Sequence, residues 1–134
     1  MKHQKAAAIV WTIDPEGNRR FLLRHNKPFN GYEDEWTIIF GDIEGKENCV
    51  DAAKREAGEE FGISVFEETR NLNYKIEFDN KLGLTEAHFI ALKVESLDIS
   101  IKLNEESIGY DWMLIGKVKE LMKHDDEKKA FDLI

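Results

Sequence analysis

The sequence has little cysteine, no long apolar run and a shortage of positive charge. Cys49 is the only cysteine among 134 residues, which excludes an internal disulfide and a zinc site built from cysteines. A chain without disulfides is typical of a reducing compartment, so we expect the protein in the cytoplasm. The apolar run near the start extends only from Ala6 to Trp11, too short for a membrane span or a signal peptide. We therefore expect no membrane association.

Basic residues are in the minority, with 19 lysines and arginines against 27 acidic residues and a net charge of −8. Because nucleic-acid binding requires a basic surface, this balance argues against a stable nucleic-acid complex. The rest of the composition is ordinary for a folded chain, with 42% apolar and 34% charged residues. A length of 134 residues predicts a single domain covering 1–134.

Apolar periodicity predicts one main helix and a set of strands. Asn48 is placed to cap a helix that continues to Phe61, and Gly62 follows where a helix end needs a left-handed residue. Residues 97–103 fit either another strand or an extended arm. Strands interspersed with helices predict a mixed sheet between helices, in the α/β or α+β class. The other predicted elements are strands over 5–13, 19–25, 35–40, 63–78 (one or two strands), 85–94 and 110–114, and a broken helical segment over 117–122 and 126–133.

Three carboxylates share one side of the predicted helix. Glu56, Glu59 and Glu60 stand at i, i+3 and i+4, which places neighbouring Cβ atoms about 5–6 Å apart. Like charges at this spacing repel, and a divalent cation would turn the repulsion into attraction. Ligands that are all oxygen suit a hard ion, Mg²⁺ first and Mn²⁺ next. The alternative is a solvated acidic face on which Arg55 pairs with Glu59.

The wider pattern decides between these alternatives. Reading outwards from the helix gives Gly41, Glu47, Arg55-Glu56-Ala57, Glu59-Glu60 and Gly62-Ile63. The spacing over 41–63 resembles the signature of the Nudix hydrolases at every fixed position. This resemblance implies a Nudix-type α/β/α sandwich with a central mixed sheet. It also implies an enzyme that cleaves a nucleoside diphosphate linked to another group, with water attacking a phosphorus.

The resemblance implies roles for individual residues as well. Glu56, Glu59 and Glu60 would be metal ligands, joined by a backbone carbonyl at Phe40 or Gly41. Arg55 would hold the glutamates in place through charge-assisted hydrogen bonds. Two further signature positions have structural roles: Glu47 would brace the loop against the helix, and Gly62 would supply backbone freedom.

A second stretch resembles the family outside the signature. Glu106 lies six residues before Trp112, a spacing found in many Nudix enzymes, which makes it a candidate metal ligand or general base. The alternative is that Glu105 and Glu106 form a solvated pair in a loop. Trp112 lies in a strand pattern, which favours a packing role.

The run from His88 to Trp112 most resembles the asymmetric diadenosine tetraphosphate hydrolases. Tyr74 and Tyr110 are then candidates to stack on a base, the alternative being that each ring is packed in the protein. One departure concerns the residues before the glycine loop, where Ile39-Phe40-Gly41 stands in place of the Pro-Lys-Gly usual in that branch. The phosphate-contacting lysine is thus missing. Arg24 and Lys27 are candidate substitutes, or ordinary surface charges.

The expected function is a Mg²⁺-dependent hydrolase of nucleoside diphosphate derivatives, with dinucleoside polyphosphates as candidate substrates. Its partner would be a small nucleotide, and the protein is expected to be a monomer or a homodimer. Within the same class, the alternative is a house-cleaning hydrolase of modified nucleoside triphosphates or of ADP-ribose. Outside it, the alternatives are a non-catalytic nucleotide-binding module and a plain interaction domain.

Overall fold

A computed structural model describes residues 2–26, 35–80 and 83–134 of the chain, and Lys27 lies outside these residues. Of the helices that they form, none is both long and apolar enough to cross a membrane. The elements in chain order are β1 (His3–Ile13), β2 (Arg19–Asn26), β3 (Trp36–Thr37), β4 (Ile39–Asp42), α1 (Cys49–Phe61), β5 (Glu68–Asn80), β6 (Gly83–Lys93), β7 (Ser107–Met113), α2 (Ile115–Leu121) and α3 (Asp125–Phe131).

Strand β1 organises the sheet. It pairs in parallel with β6 and antiparallel with both β2 and β4, so the sheet is mixed, as predicted. Strand β5 extends the sheet beyond β6, while β3 and β7 pair with β2. Both faces of β1 are covered, which explains why the run from Ala6 to Trp11 is apolar throughout instead of alternating.

The two faces of the sheet carry separate cores. On one face, the buried side of α1 packs Ala53, Ala57 and Phe61 against the sheet. On the other face, α2 and α3 cover the sheet, and the ring of Phe131 meets Phe21 edge-on with centroids 5.1 Å apart. The predicted arrangement of a mixed sheet between helices is therefore confirmed.

Local signals placed α1 correctly. The Asn48 side chain accepts a hydrogen bond from the Asp51 backbone N–H at 2.8 Å. At the other end Gly62 adopts the left-handed conformation, with φ of 69°. The predicted helix from its cap at Asn48 to Phe61 is thus confirmed at both ends.

Residues 97–103 do not form a strand: 97–99 make a turn, and 100–103 form an irregular arm. The Lys102 backbone N–H donates to the Phe61 carbonyl at 2.8 Å, which fastens the arm to the end of α1. Ile99, Ile101 and Leu103 pack against the core under α1. Their alternation therefore reflects packing against a helix without a strand ladder. The arm leads directly to Asn104 and Glu106.

Candidate active site

Arg55 connects the signature loop to the helix. Its Nε and Nη2 donate to the two carboxylate oxygens of Glu47 at 2.8 and 3.1 Å, and Nη2 also donates to the Asp42 carbonyl at 2.7 Å. Its Nη1 donates to Glu56 at 2.9 Å and to Glu59 at 3.2 Å. The bond from Arg55 holds the pKa of Glu47 below its ordinary value. One guanidinium thus fixes the geometry of two helix carboxylates relative to the loop.

Glu56 lies against the backbone of β4. The residue is 8% exposed, and a Cβ atom added to Gly41 would overlap the Glu56 carboxyl group. Glycine at position 41 is therefore what allows the carboxylate to reach the strand. Burial raises the pKa of Glu56 above its ordinary value, although the hydrogen bond from Arg55 opposes the shift.

Glu60 is buried as well, but its partners come from other parts of the chain. It accepts hydrogen bonds from Arg24 Nη1 of β2 at 2.6 Å and from Asn104 Nδ2 at 2.8 Å. Burial raises the pKa of Glu60, while the charge of Arg24 opposes the shift and that of Glu106 adds to it. The Glu106 carboxylate lies 3.7 Å from Arg24 Nη1 and is 70% exposed. Arg24 therefore lies between the carboxylates of Glu60 and Glu106.

The acidic stripe of Glu56, Glu59 and Glu60 fits a hard divalent cation by the chemistry of its donors. All the donor atoms of its side chains are carboxylate oxygens. Glu56 is buried beside the Gly41 backbone, and Glu60 is buried close to Glu106. In residues 2–26, 35–80 and 83–134, no three acidic, histidine or cysteine side chains converge as a metal cluster. Glu56 bonds to Arg55, whereas Glu60 bonds to Arg24.

A cleft of about 610 Å³ lies on the opposite face of the sheet, between the strands and the C-terminal helices. Trp36, Phe40 and Phe78 give it aromatic walls, and Asp126 and Glu127 are among its acidic groups. Burial raises the pKa of Glu127 to about 7. The cleft thus combines aromatic walls with many polar and charged groups, and a concave surface of mixed character can bind a small molecule.

The cleft and the acidic stripe meet at two places. Arg24 lines the cleft and also bonds to Glu60. In β4, the Phe40 side chain lines the cleft while the neighbouring Gly41 touches Glu56. Arg24 and β4 therefore connect the cleft to the carboxylates.

The two predicted stacking tyrosines have different surroundings. Tyr110 is 42% exposed and lies directly across from Arg24 in the pairing of β7 with β2. The Tyr74 ring packs against Phe89, with centroids 5.4 Å apart, and its hydroxyl donates to the Asp126 carbonyl at 2.7 Å. The packed alternative therefore describes Tyr74, whereas the Tyr110 ring is open to a ligand.

These features can be compared with known proteins. The sequence profile of the NUDIX domain matches residues 2–134. This chain belongs to the Nudix family. The predicted Nudix fold and the prediction of a pyrophosphohydrolase are thereby confirmed at the level of the family. Comparison with curated protein sequences gave no significant match.

Solved structures share the Nudix fold at low sequence identity. A Caenorhabditis elegans Ap4A hydrolase in a binary complex has a TM-score of 0.80 at 18% identity, covering 98% of this chain and 93% of that one. The Escherichia coli dihydroneopterin triphosphate pyrophosphohydrolase has a TM-score of 0.79 at 18% identity, covering 98% and 95%. The NUDIX domain of Shewanella oneidensis NrtR, solved with ADP ribose, has a TM-score of 0.77 at 12% identity, covering 99% and 86%.

Sequence reasoning missed several features of the candidate site and the cleft. It gave Asn104 no role, although the asparagine holds Glu60 and lies two residues before Glu106. It treated Arg24 as a phosphate contact or a surface charge, whereas the side chain is 12% exposed and paired with Glu60. Glu127 was missed because its burial depends on how α3 packs against the sheet. Of these three residues, only Asn104 could have been singled out from the sequence, because it lies in the stretch that resembles the family.

Proposed function

We propose that this Nudix protein is a divalent-metal-dependent hydrolase of nucleoside diphosphate linkages, with Mg²⁺ as its cofactor and Mn²⁺ as a substitute. The observation that carries the proposal is that the signature is complete and that its side chains are hydrogen-bonded to one another. Arg55 joins Glu47 of the loop to Glu56 and Glu59 of the helix, and Gly41 leaves room for the Glu56 carboxylate.

The glutamates of the acidic stripe would hold the metal, with the Gly41 carbonyl beside them. When bound, the metal polarises the phosphoryl oxygens and lowers the pKa of the attacking water. Arg55 is a positioning residue for Glu56 and Glu59. Glu106 is the candidate general base, because its carboxylate is largely exposed and its charge acts on Glu60 of the acidic stripe. Water forms the new bond to phosphorus, the bridging oxygen leaves, and the proton of the water passes to Glu106.

The substrate proposed is a dinucleoside polyphosphate. The cleft of about 610 Å³ would take one nucleoside, its base lying between apolar and aromatic walls. Arg24 lies where the phosphates would leave the cleft. Tyr110, across from Arg24, offers an exposed aromatic face for a second base. We do not include Tyr74 in the binding surface, because its ring and hydroxyl are both engaged in packing.

A nucleoside triphosphate or ADP-ribose is the second candidate. The observation in its favour is that the cleft of about 610 Å³, with Trp36, Phe40 and Phe78 in its walls, would take one nucleoside. Such a substrate would use the cleft and Arg24 but not Tyr110. The variant Tyr110→Ala therefore separates the candidates: it should raise KM for a dinucleoside polyphosphate and leave KM for a triphosphate unchanged.

The test is a substrate panel assayed with Mg²⁺ or Mn²⁺ in H₂¹⁸O, with products identified by mass spectrometry. Dinucleoside polyphosphates, nucleoside triphosphates and ADP-ribose are distinguished by their products, and the ¹⁸O label marks the attacked phosphorus. Glu59→Gln and Glu60→Gln should abolish turnover, while Glu120→Gln, an exposed glutamate of α2, serves as the matched control. Absence of hydrolysis across the panel would refute the proposal.

A further inference from the structure

Arg24 has an unusual set of contacts for a buried arginine. Its side chain is 12% exposed, and Nη1 donates to Glu60 at 2.6 Å, with the Glu106 carboxylate 3.7 Å away. Its Nε is buried without a hydrogen-bond partner in the described part of the chain. An arginine that served only to tie strand to helix would normally use more of its donors, because an unpaired buried donor costs free energy.

Among the described residues, two more buried side-chain atoms on β2 and β7 lack hydrogen-bond partners. They are Asn26 Oδ1, two residues from Arg24 along β2, and Ser107 Oγ, across from Asn26 on β7. Ser107 follows Glu106, the proposed base, directly. Buried polar atoms without partners require an explanation, and a catalytic role or a bound water or ion is one of them.

We propose that Arg24 is an exchangeable counter-ion: its guanidinium neutralises Glu60 in the metal-free protein and competes with the divalent cation for that carboxylate. The proposal rests on the metal dependence proposed above and deepens it. Arg24 and Asn104 both donate to Glu60 Oε2, so a cation that took this oxygen would have to displace the guanidinium from it. Once Glu60 binds the cation, the Arg24 donors become available to phosphate oxygens at the mouth of the cleft.

Removing the guanidinium has two consequences. The metal-free protein loses the partner of a buried carboxylate, which is strongly destabilising. The divalent cation, in contrast, no longer competes with a positive charge at Glu60, so it should bind more tightly. A conventional role, in which Arg24 orients Glu60 for the metal, predicts the opposite change in affinity.

The experiment compares the full-length chain with Arg24→Gln and Arg20→Gln. Arg20 is the matched control, because it lies on the same strand and pairs with a buried carboxylate, Asp14, at 2.8 Å. Mn²⁺ affinity is measured by titration calorimetry, and Tm is measured in EDTA and in saturating Mn²⁺. We expect R24Q to bind Mn²⁺ about tenfold more tightly and to melt about 5 °C or more below the unmodified protein in EDTA. Saturating Mn²⁺ should recover most of that loss.

The control should behave differently in both measurements. R20Q should lose stability in EDTA without recovery by Mn²⁺, and its Mn²⁺ affinity should stay within twofold of that of the unmodified chain. If R24Q is unfolded in EDTA, its refolding is titrated with Mn²⁺, and failure to refold overturns the proposal. Equal or weaker Mn²⁺ binding by folded R24Q overturns it as well.

The outcome separates this inference from the proposed function. If the unmodified chain binds no Mn²⁺, the metal site itself is refuted. If it binds Mn²⁺ and R24Q does not bind more tightly, only the role of Arg24 is refuted. Tighter binding by R24Q, in a protein that hydrolyses nothing on the panel, would support the exchange and refute the enzyme.

Discussion

Gly41→Ala tests the site with the smallest possible change. The added Cβ would occupy the space of the Glu56 carboxyl group, so either the carboxylate must leave or β4 must move. Leaving breaks the hydrogen bond of 2.9 Å from Arg55, worth about 1.5–3 kcal/mol as a charge-assisted bond. Moving β4 costs a similar amount, about 1–3 kcal/mol, as overpacking does in a core.

Either response displaces a proposed metal ligand by an ångström or more, and a shift of that size costs about 100-fold in rate. We therefore expect G41A to lower kcat/KM about 100-fold, equal to about 2.7 kcal/mol, in the Mg²⁺-dependent assay. The control is Gly116→Ala, since a Cβ there meets nothing within 4 Å in α2 and should raise Tm slightly. Activity of G41A within threefold of the unmodified protein would refute the placement of Glu56.

Three further predictions concern other parts of the structure. Arg55→Lys loses the two-pronged bond to Glu47 and should lower kcat about 100-fold, and steady-state kinetics equal to those of the unmodified chain would contradict this. Tyr74→Phe removes the bond to the Asp126 carbonyl and should cost about 1 kcal/mol in urea unfolding with KM unchanged, whereas a raised KM would restore Tyr74 as a binding residue. The pKa of Glu127 is raised from its ordinary 4.5 to about 7, so the folded state holds a proton that the unfolded state releases between these values. Stability should therefore fall as pH rises through that window, by up to about 2–3 kcal/mol, and Glu127→Gln should flatten the profile; parallel profiles in denaturant titrations would contradict the shift.

The helix and its acidic stripe could be predicted because the information is local. The spacing of Glu56, Glu59 and Glu60 follows from helix geometry alone, and the caps at Asn48 and Gly62 depend only on their own backbone positions. The contacts of the signature loop could be predicted for a different reason. They are encoded at fixed spacings that the family resemblance supplied, and no periodicity could have predicted them.

The partners of Glu60 could not be predicted from spacing. Arg24 is 36 positions from Glu60 and Asn104 is 44 positions away, so both contacts depend on how β2 and the arm pack against α1. Alternation over residues 97–103 left a strand and an extended arm open, since alternate apolar residues fit both equally well. Tertiary packing decides both questions.

The acidic stripe retains an electrostatic cost that its arginine partners do not remove. Glu56 and Glu60 are each paired with an arginine, yet burial still raises the pKa of both. The arginines therefore do not fully compensate for the removal of these carboxylates from water. A better cation would stabilise the ionised pair further, because it would contact the oxygens at shorter distance and with higher charge. Such residual electrostatic strain is found where a fold has been selected for binding in preference to stability, and it is located on the helix face that carries the Nudix signature.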